Sequence, residues 1–188
     1  MKKFATTFLT IFAFLSTQAQ VDYAIISGKI ENPKVGDKVR IYDAVSSKSI
    51  YLEVSAEGTF RDTLHLEKPT MYSISYDKFF SLYLEKGMDV YVTFDAKNLK
   101  PTLNYEGKGS VENKFLLQKE KISSVLFNQE YKVLFALDKA TFSGKLDKYN
   151  QEFTALLESN KGDLGADFIE LQKKAVEEFT KGMNMENS

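Results

Sequence analysis

Residues 104–115, NYEGKGSVENKF, place two glycines and a serine directly before a run that becomes periodic and apolar. Loops that bind phosphate also combine glycines with a helix start. In a GxxxxGK[ST] loop, however, a buried parallel strand precedes the glycines, and a lysine and a hydroxyl residue follow them. Here the preceding strand is amphipathic and that spacing is absent. We therefore predict a structural junction, in which Gly107 and Gly109 supply a permissive backbone and Ser110 is the helix N-cap. Glu112 then lies near the positive end of that helix, and an anion site is the alternative.

The sequence shows no catalytic constellation. His65 is the only histidine, and it alternates outward with Thr63 and Glu67, which predicts a solvated strand residue. A metal site would need further nitrogen or sulfur ligands, and the chain has no cysteine, so we predict no metal site and no cofactor. A Gly-x-Ser-x-Gly motif is also absent. Paired carboxylates need only proximity in space, so a hydrolase of that kind stays open at this point.

Three tyrosines are the candidate binding residues. Tyr42, Tyr51 and Tyr91 each occupy an outward position of a predicted strand whose neighbouring residues point inward. Such rings can stack on a sugar or anchor a protein partner. The alternative is that C-terminal helices cover them or that they form ordinary cross-strand pairs.

The elements that would position these residues alternate in hydrophobicity from residue 23 to about 105, with turn residues every eight to twelve positions. This pattern predicts an antiparallel β-sandwich or partly open barrel of seven or eight short strands. The expected inward rows are Ala24, Ile26 and Ile30; Val39, Ile41 and Val45; Ile50, Leu52 and Val54; Phe60, Leu64 and Leu66; Tyr72, Ile74 and Tyr76; Phe80, Leu82 and Leu84; and Val90, Val92 and Phe94.

After Gly109 the apolar period becomes helical and predicts about three helices. The first carries Phe115 to Leu137 on one face, the second follows Ser143-Gly144, and the third follows residues 160–162. The fold class is therefore α+β, with a sandwich domain at 20–109 and a helical segment at 110–188. Each helix has one apolar stripe, which must be buried against a neighbour or against the sheet.

The N-terminus predicts a secretory signal peptide at 1–19. Lys2 and Lys3 precede an apolar stretch at 4–15, and Thr17 and Ala19 fit a small-x-small cleavage site. The stretch is shorter than the ~20 residues of a membrane-spanning helix. We therefore expect a periplasmic or secreted protein, cleaved near Ala19, with no membrane span in the mature chain. The net charge of −1 gives no reason to expect a nucleic-acid partner.

Four short motifs give the chain a family resemblance: GKIEN at 28–32, EGTF at 57–60, LEKG at 84–87, and GKGS at 107–110 with Asn113 three residues on. Together they resemble the N-terminal domain of unknown function found in Bacteroidetes envelope proteins. In that family the domain precedes a helical segment and a C-terminal thioredoxin-like domain that acts as a thiol-disulfide oxidoreductase. The resemblance covers residues 23–117 and rests on turn and cap residues.

The resemblance implies an accessory domain without the redox chemistry. Thioredoxin-type exchange needs a Cys-x-x-Cys, and this sequence contains no cysteine and ends at Ser188, where the redox domain would begin. The chain is then either a fragment of a longer redox protein or a stand-alone accessory domain. We expect a non-catalytic periplasmic interaction domain whose partner is another envelope protein or the missing thioredoxin-like domain. The alternative is a β-sandwich that binds a small ligand or a glycan.

Overall fold

The computed structural model describes residues 21–34 and 36–186, and the predicted signal segment lies outside them. The described part forms a two-sheet sandwich followed by a helical layer. Its strands are β1 (Tyr23–Glu31), β2 (Lys38–Asp43), β3 (Lys48–Glu53), β4 (Thr59–His65), β5 (Thr70–Tyr76), β6 (Lys78–Leu84), β7 (Asp89–Asp95) and β8 (Asn104–Lys108). Its helices are α1 (Leu99–Thr102), α2 (Ser110–Leu126), α3 (Tyr131–Phe135), α4 (Lys139–Asn160) and α5 (Ala166–Glu186).

The eight strands form two four-stranded sheets. The first sheet has the order β4-β1-β7-β8 and the second the order β3-β2-β5-β6. Their inner faces share one hydrophobic core. In that core the Phe94 ring of the first sheet contacts the Tyr76 and Phe80 rings of the second, at centroid distances of 5.4 and 5.7 Å. The predicted α+β fold with a β-sandwich of seven or eight strands is confirmed.

One strand pair departs from the expected antiparallel arrangement. β1 pairs with β7 in parallel, with Ile26 opposite Val90 and Ile30 opposite Phe94. The pairing joins strands that are more than fifty residues apart, so no local turn fixes their relative direction. Both strands are buried on their inner faces, and their hydrophobic alternation would be the same in a parallel and in an antiparallel pair. The sequence pattern therefore does not indicate the direction of the pairing.

Val45 was predicted to point into the core, and this prediction is wrong. β2 ends at Asp43, and Val45 lies in the following turn with 75% of its surface exposed. The Asp43 side chain accepts hydrogen bonds from the Val45 amide and the Ser46 hydroxyl, at 2.9 and 2.6 Å. An aspartate that bonds the backbone two residues on ends the strand and starts a turn.

The helix boundaries also differ from those predicted. The periodicity from Phe115 to Leu137 belongs to two helices, because α2 ends at Leu126 and α3 begins at Tyr131. Asp138 caps α4 by accepting a hydrogen bond from the Thr141 amide at 3.0 Å. α4 therefore starts before Ser143-Gly144 and runs through it, so the predicted break there is wrong. A glycine in a helix interior costs only about 1 kcal/mol, which an established N-cap and a buried stripe outweigh.

The helical layer packs against the sandwich. Phe168 of α5 contacts Tyr83 of β6 and Phe115 of α2, at centroid distances of 4.8 and 5.5 Å. Phe115, Phe153 and Phe168 belong to the same core as the strand residues. The apolar stripes of the helices are thus buried against one another and against the second sheet.

The helices and β8 also close the exposed edge of β6. The side chain of Asn113, on α2, forms two hydrogen bonds with the backbone of Tyr83. Its Oδ1 accepts from the Tyr83 N–H at 2.8 Å, and its Nδ2 donates to the Tyr83 carbonyl at 2.9 Å. The Tyr105 hydroxyl donates to the Ser81 carbonyl at 2.7 Å. These three bonds satisfy backbone groups that an edge strand would otherwise offer to another chain.

Candidate functional site

The outer face of the second sheet brings together two of the three predicted tyrosines. The cross-strand register forms two rows that span all four strands, Tyr51–Arg40–Ser75–Phe79 and Ser49–Tyr42–Ser73–Ser81. Residues directly opposite in a sheet project to the same side, so these eight side chains share one face. We call these eight residues the outer face.

Aromatic rings stand at both ends of the first row. Tyr51 on the edge strand β3 is 58% exposed, and Phe79 on the opposite edge strand β6 is 65% exposed. Three strand spacings separate them, which places their backbones about 14 Å apart. Arg40 and Ser75 lie between them, so the row is aromatic at both ends.

Arg40 organises the Tyr42 end of the outer face. Its guanidinium carbon lies 5.1 Å from the centroid of the Tyr42 ring, and its Nε donates to the Ser49 hydroxyl at 3.0 Å. A guanidinium stacked on an aromatic ring is held in one orientation and keeps its remaining N–H donors for other partners. Tyr42 is half-buried, whereas Tyr51 on the neighbouring strand is exposed.

The structure does not place Tyr91 with the other two tyrosines. Tyr91 lies on β7 in the first sheet, opposite Ser27 of β1 and Glu106 of β8. Val90 and Val92 on either side of it are buried in the core, so its ring projects from the opposite surface of the sandwich, where it is 38% exposed. It lines an open groove of about 600 Å³ together with Ser27 and Arg61. The three predicted residues therefore cannot form one binding site.

Phe79 was missed in the sequence, although a signal for it existed. Phe80 was assigned to the inward row, and the alternation of a strand then places Phe79 outward. Of these two phenylalanines, Phe79 is the more informative about a binding surface, because large apolar rings are usually buried and this one is exposed.

The predicted role of Ser110 as helix N-cap is wrong. α2 begins at Ser110 itself, and Gly109 occupies the N-cap position with a φ of 101°. The Asn113 side chain reaches back from the first turn and donates to the Gly109 carbonyl at 2.8 Å. A Cβ atom on Gly109 would lie 2.6 Å from Met88 Sδ, and one on Gly107 would lie 2.3 Å from the Asp89 carbonyl oxygen. The two glycines therefore allow close packing at a strand-to-helix junction.

His65 is exposed on β4, as predicted. Its Nδ1 lies 3.5 Å from an Asp22 carboxylate oxygen, and its ring packs edge-on against Tyr23. Among the residues that the structure describes, no group of three or more histidine, aspartate or glutamate side chains is placed to hold a metal ion.

The carboxylate at the end of β2 stays ionised at neutral pH. The Ser46 hydroxyl hydrogen bond holds the pKa of Asp43 below its usual value. Burial, with a contribution from Asp43, raises the pKa of the neighbouring Tyr72 hydroxyl. A general acid needs a raised carboxyl pKa, so Asp43 has the opposite tendency.

The helices of residues 21–186 contain no segment that is both long and apolar enough to cross a lipid bilayer.

Comparisons with known proteins identify no family. No family model and no curated protein matches the chain. One solved structure with local similarity is that of a protein from Bacteroides ovatus ATCC 8483 for which a role in cell adhesion has been suggested. It is 11% identical, the match covers 47% of this chain and 43% of the other, and the TM-score is 0.29. Similarity at this level defines neither a shared fold nor a function.

Proposed function

We propose that this chain is a non-catalytic interaction domain of the cell envelope, related to the N-terminal part of thioredoxin-like thiol-disulfide oxidoreductases. The observation that carries the proposal is the outer face, with Tyr51, Phe79 and Arg40 presented on one face of a four-stranded sheet. The signal-like sequence at 1–19 supports the envelope location.

The absence of thiols supports a non-redox role for the chain itself. Disulfide exchange proceeds through attack by a thiolate, and the sequence contains no cysteine. The glycines and Asn113 of the family-like motifs serve turns and packing at the junction before α2. Those motifs therefore support a shared accessory architecture and supply no reactive group.

The composition of the outer face favours a protein partner. Tyrosine, phenylalanine and arginine are enriched in the residues that carry binding energy at protein interfaces. Tyr51 and Phe79 would supply apolar contact area, and Arg40 would supply directed hydrogen-bond donors. The serines of the outer face lose little side-chain entropy when a partner covers them.

Photocrosslinking in the envelope of the source organism tests the docking proposal. A photoreactive benzoylphenylalanine at position 51 or 79 should give discrete adducts of one partner. Positions 91 and 125 are matched controls, because Tyr91 lies on the other sheet and Val125 is an exposed residue of α2. Equal labelling from all four positions, or no adduct from 51 and 79, would contradict the proposal.

The non-redox part has an independent test. With dithiothreitol as the reductant, the purified chain should not accelerate the reduction of insulin disulfides above the dithiothreitol blank, whereas thioredoxin in the same assay should accelerate it. Turnover above the dithiothreitol blank would refute this part and leave the docking proposal to its own experiment.

Glycan binding is the second candidate, favoured by the Arg40–Ser49 hydrogen bond beside an exposed tyrosine. Sugar rings stack on such aromatic faces, and adjacent donors bind their hydroxyls. Titration against a glycan panel should then show binding that Tyr51→Ala abolishes and Tyr91→Ala leaves unchanged. Binding that ignores Tyr51→Ala would eliminate this candidate.

A further inference from the structure

A cavity of about 450 Å³ lies between the second sheet and the helices, away from the Tyr51 and Phe79 ends of the outer face. Strands β5 and β6 and helices α2, α4 and α5 all contribute to its wall. The residues that matter to its chemistry are Met71, Leu116, Lys119, Tyr149, Leu171 and Gln172. Its volume falls in the range of small-molecule sites, about 300–1,000 Å³.

Lys119 brings a largely buried ammonium group into this cavity. Its Nζ donates to Gln172 Oε1 at 2.7 Å and lies 5.7 Å from the centroid of the Phe153 ring. None of the ion pairs within 4.0 Å among residues 21–34 and 36–186 includes Lys119. Burial lowers the pKa of Lys119 to about 8. A buried cation without an anionic partner is costly, which makes this position unusual.

Gln172 supplies a second donor at the same place. Its side chain is on a residue that is only 1% exposed, and its Nε2 donates to Met71 Sδ at 3.8 Å. A thioether sulfur is a weak acceptor, so an oxygen anion would be a better partner. Since Nε2 belongs to the amide whose oxygen contacts Lys119, the ammonium and the amide N–H lie side by side.

The other residues that line the cavity determine which kind of anion it can bind. Met71, Leu116 and Leu171 provide apolar walls, which suit a hydrocarbon or aromatic tail. Glu120 and Glu178 also line the cavity, and each is paired with a lysine, Lys100 at 2.7 Å and Lys174 at 4.0 Å. The lining thus carries two ammonium groups, Lys119 and Lys174, against two carboxylates, so it has no excess positive charge to compensate a dianion such as phosphate.

We propose that this cavity binds a small monocarboxylate with an apolar tail. The carboxylate pairs with the Lys119 ammonium and accepts from Gln172 Nε2, and the tail contacts Met71, Leu116 and Leu171. Of the residues that line the cavity, Ser81 alone belongs to the outer face, and the proposal does not depend on the function proposed for that face.

Titration calorimetry of residues 20–188 with phenylacetate at pH 7 tests the proposal, with phenylacetamide as the neutral isostere. Phenylacetate should bind at least ten-fold more tightly than phenylacetamide. Lys119→Met should weaken phenylacetate binding at least ten-fold, and Lys121→Met, an exposed lysine on the same helix, should leave it unchanged.

Methyl NMR of the wild-type protein locates the site without relying on a variant. Phenylacetate should shift the Met71 and Leu171 methyl signals and leave the methyl signals of Val45 unchanged. Shifts confined to other residues, or equal binding of acid and amide, would overturn the proposal. So would an absence of saturable binding at millimolar phenylacetate.

The pH dependence adds a readout specific to Lys119. Binding requires the ammonium form of Lys119 and the ionised ligand, so affinity should be highest at about pH 6–7 and fall as the pH rises through about 8. The other titratable groups facing the cavity are Glu120, Lys174, Glu178 and Tyr149, and burial raises the pKa of Tyr149 so that it stays neutral in this window. Residual binding to Lys119→Met should not fall between pH 8 and 9.5. The same fall in that variant would assign the effect to another group and refute the role of Lys119.

Discussion

Asn113 connects the first turn of α2 to the edge of the second sheet. Its side chain makes three hydrogen bonds, two to the Tyr83 backbone and one to the Gly109 carbonyl. Both Asn113 and Tyr83 are fully buried. Removing the amide would leave backbone groups of Tyr83 without water or protein partners, so this residue has more effect on stability than its size implies.

We expect Asn113→Ala to lower the free energy of unfolding by about 2–4 kcal/mol, because two buried backbone groups lose their partners. Ser110→Ala should change it by less than about 0.5 kcal/mol, since the serine side chain does not cap the helix. Urea denaturation monitored by circular dichroism measures both. A loss of about 1 kcal/mol or more from Ser110→Ala would mean that Ser110 is the cap, and an Asn113→Ala loss below about 0.5 kcal/mol would contradict the role of Asn113.

Lys119 makes a stability contribution that depends on pH in an unusual direction. Its pKa is about 8 in the folded protein and about 10.5 in an unfolded chain, so between these values the unfolded state binds more protons. The penalty of the buried charge is therefore complete below pH 8 and is relieved as pH rises toward 10.5.

The wild-type protein should accordingly gain about 1–2 kcal/mol relative to Lys119→Met between pH 7 and pH 10. Taking the difference removes the titration of all shared lysines. Lys121→Met provides the control, because an exposed lysine should show no such gain. A difference that stays constant across this pH range would show that Lys119 is solvated in the folded state.

At the level of elements, the strands could be predicted from the sequence better than the helices. Alternation places residues such as Ile26, Val90 and Leu82 inward whatever the partner strand is, and all three are fully buried. It could not give the direction of the β1–β7 pairing, which depends on contacts between distant segments. Helix ends were harder still to predict. The break expected at Ser143-Gly144 does not occur, because the Asp138 cap stabilises α4 by more than the glycine destabilises it.

The candidate binding residues could also be predicted only in part from the sequence. Outward positions for Tyr42 and Tyr51 follow from alternation within each strand, but their common face follows from the register of β2 with β3. Tyr91 has the same local pattern and lies on the other sheet. A sequence pattern assigns a side chain to one surface of its strand, and only the sheet order tells which surfaces are the same.

The glycines at the junction and in α4 should respond to alanine in opposite ways. Gly109→Ala should lower the free energy of unfolding by about 1–3 kcal/mol, because it forces a positive φ and a clash with Met88. Gly144→Ala should raise it by about 0.5–1 kcal/mol, since Gly144 lies inside α4 with open space around its Cα. Urea melts of the two variants decide the matter, and a stabilising Gly109→Ala would contradict the junction geometry.

At the scale of the whole molecule, the sandwich and the helices form a single packed unit. One hydrophobic core includes Ile26 of β1, Leu82 of β6 and Phe168 of α5. The helices cover the Met71 and Tyr83 end of the second sheet and leave Tyr51 and Phe79 exposed. Packing between separate segments of the chain determines which part of the second sheet the helices cover. The helical periodicity alone therefore could not show where the apolar stripes of the helices would be buried.

The envelope location proposed for the whole molecule predicts a defined N-terminus. Signal peptidase selects small residues at the first and third positions before the cut, and Ala19 and Thr17 occupy these positions. Expression in a Gram-negative host should therefore release a chain that begins at Gln20 into the osmotic-shock fraction, as measured by intact-mass spectrometry. Ala19→Arg should block cleavage and hold the precursor in the membrane, whereas Ala5→Ser, outside the cleavage site, should leave processing unchanged. Recovery of the intact chain from the cytoplasm would rule out both the signal peptide and the envelope location.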